Sequence, residues 1–139
     1  MAVTQTLTQV TWPTAQTTGS VTTNSNLTSE VITLDASCVA AQIQLKAETG
    51  TAVAGDYINF YVLQSSGDPD AAETTDEYDT VGHAIFLARV DCFITDPALV
   101  TVPFPVPQKN FKIYAEGDHA DATSQAITVS CQIIEQRVS

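Results

Sequence analysis

The chain has 139 residues, of which 44% are hydrophobic, and 16 acidic side chains stand against 5 basic ones, for a formal net charge of −11. That length suits one domain that buries a core without disulfide staples. The charge argues against partners that need clustered Lys and Arg, namely nucleic-acid backbones and anionic membrane surfaces.

The N-terminus, Met1 to Gln5, has neither a basic n-region nor an apolar h-region, so no signal peptide is expected and synthesis in a cytoplasm is. No apolar run reaches bilayer-spanning length. The run from Thr4 to Trp12 is rich in Thr and Val, which are stiff at χ1 and suit a pleated strand. It holds few apolar residues and ends at Pro13, so it predicts an edge strand or an extended arm. Residues 14–29 are polar and rich in turn formers, and 1–29 is set apart as an arm or edge strand before a domain over 30–139.

Val31 to Leu34 predicts a short strand. Val39, Ala41, Ile43, Leu45 and Ala47 then alternate with polar residues, the period of a strand with one wet face. Tyr57 to Leu63 is apolar at nearly every position and predicts a central strand covered on both sides. A long acidic loop spans 65–80. Strands are expected next over 83–90, and over 98–106 as an edge or crossover because of Pro103, Pro105 and Pro107. Two more follow over 111–116 and 126–133, the last with Ile127, Val129, Cys131 and Ile133 inward. Seven or eight antiparallel strands without a helix give an all-β, single-domain sandwich of jelly-roll or immunoglobulin-like type.

Chemistry-bearing residues are few. Asp68, Asp70, Glu73, Asp76, Glu77 and Asp79 offer hard oxygen ligands, but their spacing fits no EF-hand, and a solvated loop that discourages edge association is the simpler reading. His83 and His119 lack the partners of a catalytic dyad: Asp118 is adjacent in sequence, where extended neighbours point apart. Neither Ser124 nor Ser130 lies in a nucleophile elbow. No enzyme activity, cofactor or metal is therefore expected. Cys38, Cys92 and Cys131 lack zinc spacing and suit buried thiols; Cys92 beside Asp91 is the candidate for a crosslink between copies. Trp12, Tyr57, Tyr61, Tyr78 and Tyr114 are candidate aromatics for a glycan platform, with Trp12 either a partner anchor or a plug at one end of the sandwich.

The segments 55–63 (GDYINFYVL), 67–70 (GDPD), 78–79 (YD), 83–84 (HA), 96–103 (DPALVTVP) and 111–115 (FKIYA) resemble small structural proteins of tailed bacteriophages, over roughly residues 55–135. Size and make-up are similar to capsid decoration, or cement, proteins: small β-rich units outside a shell, often trimers. The resemblance implies a non-enzymatic virion protein, assembled in the host cytoplasm and placed on the capsid exterior. Its implied partners are the major capsid protein and copies of itself in a homotrimer, with no nucleic acid and no membrane. Candidate partner contacts are Leu7, Val10, Trp12, Asp68, Asp70, Tyr78 and Cys92. The alternatives are a host-surface glycan-binding module of a fibre or tail, and a neck or tail component. The three cysteines are a departure, since a decoration protein does not require them.

Overall fold

A computed structural model describes residues 2–22, 25–48, 57–64, 84–91, 98–104, 110–117 and 126–139. They form β1 (Val3–Gln9), β2 (Gly19–Val21), β3 (Asn26–Thr28), β4 (Ile32–Thr33), β5 (Cys38–Glu48), β6 (Tyr57–Gln64), β7 (Ala84–Asp91), β8 (Ala98–Phe104), β9 (Asn110–Gly117) and β10 (Ile127–Val138). In sheet one, β1 and β2 lie end to end along one side of β10, followed by β5 and β8. In sheet two, β3 and β4 lie end to end along β9, followed by β6 and β7. Every pairing is antiparallel.

With each end-to-end pair taken as one position, the sandwich has eight positions. Except for the β6–β7 hairpin, each step along the chain crosses from one sheet to the other. This is the connectivity of a jelly roll, two nested Greek keys, and it decides between the two sandwich types left open by the sequence.

The alternating pattern carries the core. Ala41, Ile43, Leu45 and Ala47 of β5 face Ile127, Val129, Cys131 and Ile133 of β10 on the inner side of sheet one. Ile58, Phe60 and Val62 of β6, with Phe111, Ile113 and Ala115 of β9, close the core from sheet two. β6 is central, as its continuous apolar run requires, and β8 is an edge that tolerates Pro103 because its outer N–H side has no strand to feed.

The structure departs from the sequence expectations at two places. Val39 was expected inward and is 61% exposed. Ala40 pairs with Gln136 but Cys38 with Arg137, so Val39 is the extra residue of a bulge and turns outward. The polar segment 14–29 contains β2 and β3, two short strands recruited by the open sides of β10 and β9. β1, β2 and β3 lie at the edges of the two sheets, the edge-strand alternative for residues 1–29.

Candidate functional site

The N-terminal edge is built around a detour. Ten positions separate Gln9 from Gly19, whereas their partners Gln132 and Val129 are three apart on β10. The surplus chain folds inward. Trp12 and Gln16 bridge through two backbone bonds, Trp12 N to Gln16 O (2.7 Å) and Gln16 N to Trp12 O (3.1 Å), and Thr14 and Ala15 turn the tip with φ of 66° and 56°. Val10 and Trp12 are each only 1% exposed and belong to the core. They correct the expectation that these two residues meet a partner: Trp12 is the plug, and Val10 donates its N–H to Cys131 O (3.0 Å). Beside Trp12 lies an open cavity of about 340 Å³, lined also by Pro13, Gln16, Thr18, Gly19, Ser20, Leu27 and Thr128. Gly19 lets these side chains pack closely: a Cβ there would displace Leu27 Cδ2 and sit 3.2 Å from the Trp12 ring.

Leu7, by contrast, is 55% exposed and stands on the outer face of sheet one. Strand alternation and register place Gln5 and Gln9 of β1, Gln42 and Gln44 of β5, and Gln132 and Gln136 of β10 on the same face. These are six of the chain's ten glutamines. Val3, Leu7, Ile134, Val138 and Leu99 add aliphatic surface between them. Among the described residues of this face only Lys46 and Glu48 carry charge, and they pair with each other at 3.7 Å. A depression of about 160 Å³ sits in the face, between Gln9, Gln44, Lys46, Leu99, Ser130 and Gln132. On a chain of net charge −11 this broad surface has no net charge. Sequence patterning registered these polar positions as a wet face; only the register shows that they form one continuous surface.

The outer face of sheet two differs. Tyr61 pairs with Tyr114 on one side and Phe86 on the other, so the three rings form a row across β9, β6 and β7. Tyr61 meets Phe86 edge-on at 5.6 Å and Tyr114 at 5.8 Å between centroids. Arg89 stacks over Tyr57 (3.6 Å to the ring centroid) and bonds Asp91 (2.9 Å). Burial, with Glu116 nearby, pushes the phenols of Tyr61 and Tyr114 up from their ordinary pKa. Three of the aromatics proposed from sequence as a platform, Tyr57, Tyr61 and Tyr114, therefore lie on one sheet, though Tyr114 is nearly covered.

The inward row of β10 ends on a carboxylate, Glu135, 1% exposed. Arg137 binds both of its oxygens, Nη2 to Oε1 at 2.9 Å and Nε to Oε2 at 3.2 Å, and the Asp35 N–H donates to Oε2 (3.2 Å). The Arg137 bond and the Asp35 N–H hold the Glu135 carboxyl below its ordinary range against the opposing effect of burial. Nothing in the sequence marked this pair: alternation puts position 135 in line with the inward row, but a carboxylate there reads as the end of the strand. Burial pushes the Cys131 thiol far up, and burial with the Glu135 charge pushes Cys38 up, so both are poor nucleophiles.

Asp68, Asp70, Glu73, Asp76, Glu77, Tyr78, Asp79, His83, Cys92, Asp118, His119 and Ser124 lie outside the described residues, as do Pro105 and Pro107. Among the described residues no group of three or more His, Cys, Asp and Glu side chains converges. No protein-family model matches the chain, and no curated protein is detectably similar to it.

Proposed function

We propose that this protein is a non-enzymatic bacteriophage decoration protein that docks on the outside of a capsid shell and stabilises it. One observation carries the reading: an acidic chain keeps the described outer face of sheet one free of net charge and furnishes it with amides and aliphatics. Depletion of charge at the centre of a surface patch is a compositional mark of protein–protein interfaces. Glutamine amides supply donors and acceptors without the desolvation cost of ions. The jelly roll is a fold frequent in viral capsid proteins, which supports the reading by analogy only. A protein that binds the assembled shell and not its free subunits shifts assembly toward the shell.

The test is occupancy. Mass spectrometry of virions should find the chain in high copy number, where a neck or tail ring would hold about six or twelve copies by its cyclic symmetry. Gln44→Glu with Gln132→Glu, a directly paired couple on the neutral face, should leave the domain folded and empty the particles of it. Full occupancy by that variant refutes the docking face.

The aromatic row of sheet two favours a second reading, a glycan-binding module of a fibre or tail. It predicts saccharide binding by the isolated protein that Tyr61→Ala and Phe86→Ala abolish, and low copy number.

A further inference from the structure

Among the described residues, the outer side of β1 is the least guarded edge of the sandwich. β8 carries Pro103, β7 is bulged at Leu87 and charged at Arg89 and Asp91, and β2, β3 and β4 are two or three residues long. Those are the usual devices that stop a sheet edge from pairing with another chain. β1 has none of them. Its seven residues, VTQTLTQ, run in unbroken register from Val3 opposite Val138 to Gln9 opposite Gln132. No charged side chain occurs in the sequence before Glu30.

The backbone bonds at its two ends show which groups face β10 and which face outward. Ala2 O accepts from Ser139 N (3.1 Å), and Val10 N donates to Cys131 O (3.0 Å). Even-numbered residues of β1 thus turn their peptide groups toward β10, and Val3, Gln5, Leu7 and Gln9 turn theirs away from it. Beyond Gln9 the edge closes, because Glu30 N–H donates to Thr11 O at 2.9 Å. Among the described residues, no other strand pairs with β1.

The open stretch is also a palindrome: Gln5-Thr6-Leu7-Thr8-Gln9 reads the same in both directions. We propose that a second copy of this chain pairs with β1, antiparallel, about a two-fold axis at Leu7. In that register Leu7 meets the second copy's Leu7, Gln5 meets Gln9, and Thr6 meets Thr8. Parity agrees with sequence: the residues whose peptide groups point outward, 5, 7 and 9, are the ones that face each other, so each of these three pairs exchanges two bonds. Leu7 packs on Leu7 and each glutamine amide meets another on the neutral face, where like pairs of this kind stabilise antiparallel strands. The contact is isologous and closes on itself, so it yields a pair and not a filament. Two sheets joined this way also merge their neutral faces into one surface. The pairing does not rest on the capsid reading, since it is a property of the free protein.

The experiment is a mass measurement by light scattering and sedimentation on the full-length protein from micromolar to millimolar concentration, with a dimer expected. Leu7→Pro removes only an outward N–H, and an edge strand tolerates proline there. It should raise the dimer dissociation constant at least about 100-fold, through two lost bonds and the splayed pairs beside them. Leu7→Lys, which sets like charges opposite each other at an exposed position, is the second variant and should do the same with an unchanged circular dichroism spectrum. Register is tested by oxidation: Leu7→Cys should crosslink to itself, the paired Cα atoms being about 5.5 Å apart, within disulfide reach. Gln5→Cys should not, since its two copies lie roughly 13 Å apart along the strands. Dimers lost in both Leu7 variants together with crosslinking at 7 and not at 5 support the pairing. A monomer or a trimer as the sole species, dimers that persist in Leu7→Lys, or equal crosslinking at 5 and 7 overturns it.

Discussion

Replacing Trp12 tests whether the N-terminal edge is part of the core. The side chain is 1% exposed, and a buried indole takes about 150–250 Å² out of water. At roughly 25 cal/mol per Å² that is about 4–6 kcal/mol of burial, and Trp→Ala changes in cores cost about 3–5 kcal/mol. One feature lowers the figure: the Trp12 Nε1–H is buried with no acceptor among the described groups. Its unpaired burial costs about 1–3 kcal/mol, and alanine removes that cost along with the ring. Trp12→Ala should therefore destabilise by about 3 kcal/mol, or roughly 12 °C in melting temperature for a domain of this size. Trp12→Phe keeps much of the ring contact and abolishes the orphan donor, so it should fall within about 1 kcal/mol of wild type. Urea unfolding followed by circular dichroism measures both. A Trp12→Ala cost below about 1 kcal/mol would refute the core assignment. A Trp12→Phe cost equal to that of Trp12→Ala would show that the indole N–H contributes.

Two further outcomes are expected. The Ser29 hydroxyl accepts from Ile113 N–H (2.9 Å) while Ser29 N–H donates to Ile113 O (2.8 Å), so a side chain fills a gap in the β9 ladder. Ser29→Ala should cost about 1–3 kcal/mol in urea unfolding, and Ser29→Thr much less. Glu135, held below its ordinary range by Arg137, contributes stability that is present above the unfolded-state carboxyl range, near 4.3, and is lost as pH falls through its lower folded value. Urea midpoints of Glu135→Gln should lie below wild type at pH 7 and converge with it as pH falls through that window; a difference that widens on acidification would contradict the sign.

The sequence was sufficient wherever a local rule acted alone. Period-2 alternation over 41–47 and 127–133 named the inward residues, the continuous apolar run at 57–63 named a central strand, and prolines near 103 named an edge or a crossover. Each depends only on where consecutive side chains of an extended chain must point. The outcome lay elsewhere where long-range pairing overrode local pattern. Val39 faces out because a bulge opposite Arg137 adds one residue, and β2 and β3 are strands because β10 and β9 had open sides to fill. Trp12 looked unclaimed in a polar segment, and only a detour between two halves of one edge strand carries it into the core. The six glutamines are scattered across the sequence from Gln5 to Gln136, and adjacency among them is a matter of register across β1, β10 and β5. The buried carboxylate was equally illegible, because Glu135 is tolerable inside only with Arg137 and Asp35 around it. Alternation is written in neighbouring residues and survives in one dimension; strand order, register and the charge of a whole face exist only after distant segments have met.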